Sequence, residues 1–135
     1  NNIDIYPTIY DIDLAVCTTK CSNNDIKKNF ITISKEELTD KDLDIDCRGY
    51  TFRLLSRKDN KITILVRIFR SEGKTKKEKD IDLLKTIVHE ATHVLLDTHS
   101  KIGDNISLDY QEPAAYYMGW IVSNIYKTYF KTNKA

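Results

Sequence analysis

Thr86-Ile87-Val88-His89-Glu90-Ala91-Thr92-His93-Val94-Leu95-Leu96 is the stretch whose reading decides the fold of this chain. Its apolar residues recur at helical rather than strand spacing. At about 100° per residue, positions four apart lie one above the other on a helix face. His89 and His93 are such a pair, so their imidazoles can converge on one ion. Glu90 points elsewhere on the helix, yet close enough to reach a water held by that ion. The plainer alternative is an amphipathic core helix with two half-buried histidines.

Around this stretch the 3.6-residue period predicts a helix over residues 80–97, with Asp80 and Asp82 where acids favour a helix N-terminus. Leu84, Ile87, Val88, Ala91 and Leu95 form its expected core stripe, and His89 and His93 fall beside that stripe. Upstream, residues 50–57 and 61–70 read as a hairpin closed by Lys58-Asp59-Asn60. In its second arm Ile62, Ile64, Val66 and Ile68 share one face, and Thr63, Leu65, Arg67 and Phe69 the other. Residues 71–79 read as a charged loop containing Gly73. Downstream, a loop containing Gly103 leads to a last helix that opens near Pro113 and runs to about residue 130. Met118, Ile121, Val122, Ile125 and Tyr129 are its expected core stripe. Glu112, Ala115, Tyr116 and Gly119 share a neighbouring face, where small Ala115 and Gly119 would let the helix approach the motif helix closely and bring Glu112 near the histidines.

The first third is read more coarsely. Residues 3–17 read as extended, with Ile12, Leu14 and Val16 alternating against Asp11, Asp13 and Ala15, and with Pro7 confining the start to an edge. Residues 18–28 read as turn material and 30–33 as a short strand. Ser34-Lys35-Glu36-Glu37 matches a capping box and predicts a brief helix to about Thr39. The expected fold is therefore α+β: a small, largely antiparallel sheet packed on the motif helix and the C-terminal helix, in one domain over residues 1–135.

Composition narrows the function classes. Apolar content of 41% and charged content of 30% are ordinary for a globular domain. A formal net charge of +1 argues against a nucleic-acid binder that relies on bulk charge. No apolar run is long enough to span a membrane. Cys17, Cys21 and Cys47 make an odd number, which fits free thiols and a cytoplasmic location, with Cys17 ending a strand as a small hydrophobe. A zinc site built on the cysteines would lack an obvious fourth ligand.

His89-Glu90-x-x-His93 resembles the motif of zinc metallopeptidases, in which the glutamate is general base rather than ligand. Catalytic zinc takes three protein ligands and keeps one open position. Glu112, at the start of the next helix, resembles the arrangement of gluzincins and is the favoured third ligand. His99 is the rival, because its spacing resembles that of metzincins. That family has a glycine where this chain has Leu96, a good helix former, so the required bend is not written here. Asp97 is a further possibility.

The order of strands, His89-Glu90-x-x-His93, Gly103 and Glu112-Pro113-x-Ala115-Tyr116 is similar to small zincin-like proteins encoded by bacteriophages, over roughly residues 50–126. That resemblance implies a zinc-binding, zincin-like fold with peptidase activity in the host cytoplasm and supplies no substrate; the motif reading expects zinc on His89, His93 and Glu112, Glu90 as the base, and a peptide or protein substrate. Tyr116 is expected either to pack or to donate a hydrogen bond to the oxyanion. The strand at residues 61–70 is expected to take an extended substrate by strand addition. The alternative is a non-catalytic zincin-fold binding or virion-associated protein with a structural zinc, against which the intact Glu90 argues.

Overall fold

The computed structural model of the protein describes residues 2–132. In chain order the elements are β1 (Ile3–Pro7), β2 (Asp13–Thr18), α1 (Asn23–Asn29), β3 (Phe30–Thr32), α2 (Asp40–Leu43), β4 (Gly49–Ser56), β5 (Ile62–Ile68), α3 (Lys76–Ile102) and α4 (Glu112–Thr132). The strands form one five-stranded sheet in the order β1-β2-β5-β4-β3. Only the β2–β5 pairing is parallel, so the sheet is largely antiparallel and the class is α+β, as expected.

Alternation along the strands divides the sheet's residues between two cores. Leu14 and Val16 of β2 and Ile64, Val66 and Ile68 of β5 face α3 and α4, packing on Ile87, Ala91, Val94, Ile121 and Ile125. On the other face Ala15, Cys17, Leu54 and Leu65 pack with Ile26 of α1, with Leu43 of α2, and with Leu38 just before α2. The face assignments read for residues 62–69 hold. The second covering layer was not anticipated. Its short helices start inside polar, turn-like sequence, each with a capping box: Ser22 with Asp25, and Thr39 with Asp42. The box expected at Ser34 starts no helix. Its hydroxyl donates to Glu36 in a turn where Lys35 takes a φ of 67°.

Two strand expectations need correction. The extended stretch at residues 3–17 is a hairpin, β1 and β2, turned at Asp11 with a φ of 57°. More important for function, β5 lies at the centre of the sheet, paired on both sides by β2 and β4, so no substrate strand can add to it. The open edge near the motif belongs to β4. Its partner β3 covers only Leu54–Ser56, which leaves the outer side of residues 49–53 without a strand.

The motif helix is longer than expected at both ends. It is capped by Thr75 and Glu78, inside the stretch read as a charged loop, and it ends at Gly103 in the left-handed conformation. The chain runs straight through Leu96 without a bend, as its helix propensity implied. The buried stripe is Leu83, Ile87, Ala91, Val94 and Thr98. Leu84 and Val88 are instead exposed, and Leu84 lines a shallow groove between the two helices with Met118, Val122 and Tyr126.

Candidate metal centre

The sheet positions the site through the first half of β4, which runs alongside α3 in the same direction. Arg48 Nε donates to Asp82 Oδ2 at 2.8 Å, a Cβ on Gly49 would lie 3.3 Å from Thr86 Cγ2, and the Thr51 hydroxyl donates to Glu90 Oε1 at 2.9 Å. Gly49 permits this approach, since a Cβ there would also stand 2.9 Å from the Arg67 carbonyl oxygen. Odd-numbered residues of β4 therefore face α3, and even-numbered Tyr50 and Leu54 face the second core.

Beside this strand, ligand atoms of His89, Glu90 and His93 all lie within 4.8 Å of one another. The two imidazole rings are 5.0 Å apart between centroids, and His89 Nε2 is 3.9 Å from Glu90 Oε2. Both histidines are exposed, so small rotations of free side chains bring their nitrogens to bonding distance of one ion. Glu90 differs from them: only 5% of it is exposed, and one carboxylate oxygen is anchored by Thr51 while the other faces the histidines. The three residues could therefore hold a metal ion, with the carboxylate of Glu90 fixed beside the histidine pair. This is the only such cluster of three or more candidate ligands among the described residues.

The cleft that contains His89 and Glu90 encloses about 500 Å³ and extends along α3 to Asp82 and the segment before β4. Its acids are engaged. The Glu72 backbone amide, followed by Arg48, holds the Asp82 carboxyl below the ordinary carboxylate range, against a smaller effect of burial. Arg48 also reaches Glu72 at 2.6 Å, and Arg70 bridges Asp46 and Glu72, each at 3.2 Å.

The other expected site residues are placed elsewhere. Glu112 is the exposed first residue of α4 and is not in the cluster. Helix α4 lies against the side of α3 that carries Leu84 and Thr98, the latter bonded to the Tyr117 hydroxyl at 2.8 Å. Leu84 is nine residues before His93, about 180° away around the helix. Ala115 and Gly119 do not draw the helices together: both are exposed, and a Cβ on Gly119 would meet nothing within 4 Å. Tyr116 is 77% exposed in a groove with Pro7, Ile9 and Trp120, so it neither packs inside nor reaches the histidines.

His99 is six residues past His93, about 120° round and 9 Å along the helix. It is buried with neither ring nitrogen hydrogen-bonded, and its Nδ1 lies 3.9 Å from Asp104 Oδ2. Asp97 shares the histidine side but is not in the cluster. Cys17 is buried in β2, as read. Thr51 and Gly49 were missed, because their roles depend on contacts between β4 and a helix more than 35 residues later, and no local motif marks such contacts.

Comparison of the chain with family models, with curated proteins and with solved structures finds no match. No helix among the described residues is long and apolar enough to cross a membrane.

Proposed function

We propose that the protein is a zinc-dependent peptidase that hydrolyses an amide bond in a peptide or protein. The observation that carries this reading is the anchored carboxylate of Glu90 beside the His89–His93 pair. A zinc ion held by the pair would supply a water acidified toward neutrality and a polarised carbonyl. Glu90 takes the proton of that water on the oxygen that faces the histidines and passes it to the leaving amine. Thr51 keeps the other oxygen in place, so the base does not swing between solvent and substrate. The outer edge of β4 at residues 49–53 offers backbone groups to an extended substrate, a role that the central β5 cannot fill. Resemblance of His89-Glu90-x-x-His93 to the motif of zinc metallopeptidases supports the same chemistry.

The second reading is a binding protein of zincin-like fold with a structural metal. It is favoured by one observation: only two histidines converge, where catalytic zinc takes three protein ligands. Glu90 itself is the third member of the cluster, and its role separates the two readings. As a base, Glu90→Gln retains zinc in a metal titration and lowers peptide hydrolysis by roughly 10²- to 10⁴-fold. Loss of zinc in Glu90→Gln would make the glutamate a ligand. Unchanged hydrolysis would end the peptidase mechanism.

A further inference from the structure

We propose that Cys17 and Cys21, on the face of the sheet away from α3, are a dithiol that hydrogen peroxide oxidises to a reversible disulfide. Cys21 is the attacking sulfur, Cys17 the thiol that resolves it, and Arg67 the cation beside them. This goes beyond the peptidase reading and does not depend on it.

The topology brings the three residues together. Cys17, near the end of β2, is the register partner of Arg67 on the parallel neighbour β5, and Tyr50 of β4 is the partner on the other side of Arg67. Partners across a sheet point to the same face, so a row of these side chains crosses it on the side of the second core. After β2 the chain turns back over residues 18–21, closed by the Cys21 amide on the Thr18 carbonyl oxygen at 3.0 Å. The turn returns the Cys21 side chain to Cys17, and the two sulfurs are hydrogen-bonded to each other. The Cys21 sulfur also lies 3.5 Å from the Ser22 carbonyl oxygen.

Arg67 is only 6% exposed and makes no ion pair with a carboxylate among the described residues. It donates to the Cys21 carbonyl oxygen at 2.7 Å, to Asn23 Oδ1 at 2.8 Å and to the Tyr50 hydroxyl at 2.9 Å, all neutral acceptors. Its Nε is buried without a hydrogen-bond partner. A buried guanidinium without a counter-ion is costly, and an anion beside it lowers that cost. The Cys21 thiolate is such an anion. The hydrogen bond from Cys17 holds the Cys21 thiol below its ordinary range; burial opposes this, Arg67 assists it, and Asp25 opposes it most weakly. The same contact, followed by burial, pushes the Cys17 thiol up, so Cys21 ionises first and Cys17 keeps its proton.

Cys47 provides a contrast within the chain. It is more exposed than the pair, yet burial pushes its thiol up and Glu90 adds to this, against a lowering from the Gly49 backbone. Thr19, Lys20 and Ser22, on either side of Cys21, are exposed, so the pair lies just beneath the surface, within reach of an oxidant as small as hydrogen peroxide.

The Cys21 thiolate attacks one peroxide oxygen. An S–O bond forms, the O–O bond breaks, and the departing hydroxide takes the proton of the Cys17 thiol and leaves as water. The Cys17 thiolate then attacks the Cys21 sulfenic sulfur: the S–S bond forms, the S–O bond breaks and a second hydroxide leaves. Two electrons pass from the sulfurs to the peroxide, and an external dithiol returns them by exchange.

The test treats the folded full chain with hydrogen peroxide and follows each cysteine by peptide mass spectrometry under non-reducing conditions. A Cys17–Cys21 disulfide is expected, formed about tenfold or more faster than Cys47 is oxidised and reversed by dithiothreitol. Cys17→Ser is expected to leave a sulfenic acid on Cys21 that dimedone captures on unfolding in urea, and Cys21→Ser to leave Cys17 unlabelled. Arg67→Gln, its fold checked by circular dichroism, is expected to slow Cys21 by about tenfold. Absence of the bridge, or oxidation of Cys47 at an equal or greater rate, overturns the proposal. So does a bridge that forms no faster than the chain unfolds, extrapolated from urea, because the pair would then react only in the unfolded state. Dimedone on Cys17 in Cys21→Ser overturns the division of roles, and an unchanged rate in folded Arg67→Gln overturns the part given to Arg67. The wild-type rates decide even where a substitution prevents folding.

Discussion

Along the β4 side of α3 stand Asp82, Thr86, Glu90 and His93; along the α4 side stand Leu84, Ile87, Leu95 and Thr98. The first set meets a strand whose outer edge is open, so its polar groups find specific partners in Arg48 and Thr51 and still reach a cleft. The second set meets a helix, and contact there is mainly apolar packing with one buried hydroxyl pair, Thr98 and Tyr117. A single helix thus separates polar contacts and the candidate metal ligands from apolar packing by half a turn. Glu112, the exposed first residue of α4, stands outside the cluster.

The largest expected effect tests that division directly. In zinc titrations of the metal-free protein, His93→Ala should weaken binding by more than the roughly 100-fold that loss of a supporting partner alone can cost. Glu112→Ala should leave affinity unchanged. If the two substitutions cost alike, the start of α4 reaches over α3 and the division fails.

Next in size is Gly49→Ala. The new Cβ would press on the Arg67 carbonyl oxygen and on Thr86, forcing β4 away from both its neighbour strand and α3. A loss of up to about 3 kcal/mol in urea unfolding is expected, as for overpacking in a tight interior. Wild-type stability in Gly49→Ala would mean that β4 has room to give.

Thr51→Val follows. It preserves shape and removes the donor to Glu90 Oε1, leaving a buried carboxylate oxygen without its partner at a cost of roughly 1–2 kcal/mol. Zinc affinity should hold while peptide hydrolysis falls, and Thr51→Ser should restore both stability and turnover. An unaffected rate in Thr51→Val would show that Glu90 needs no such anchor.

What the sequence made legible follows the range over which each signal acts. The alternation at Ile62, Ile64, Val66 and Ile68, the histidine spacing and the uninterrupted helix through Leu96 are local, and each appears in the structure as read. The phase of the α3 stripe was not local. Leu84 and Val88 fit the helical period as well as Leu83 and Val94 do, and only the placement of the sheet and α4 around the helix decides which pair is covered. Helices α1 and α2 were hidden because each is short, polar outside its caps, and buries a single residue, Ile26 or Leu43. Thr51 and Gly49 act across the fold, where no spacing rule reaches.

The smallest effect belongs to Gly119, and it sharpens the comparison from the α4 side. If the glycine were there for close helix contact, adding a methyl group would push α3 and α4 apart and disturb the site. In the structure Gly119 is exposed in mid-helix, and its added Cβ would meet nothing within 4 Å. What remains is backbone entropy, which glycine loses more heavily than alanine on entering a helix. Gly119→Ala should therefore stabilise the protein by about 0.8–1 kcal/mol, read as a higher urea midpoint with an unchanged slope. Zinc affinity should be unaltered, since the substitution lies on the side of α3 away from His89 and His93. A lowered midpoint together with weakened zinc binding would show that the two helices press together at this residue, and that the α4 side does contribute to the metal centre.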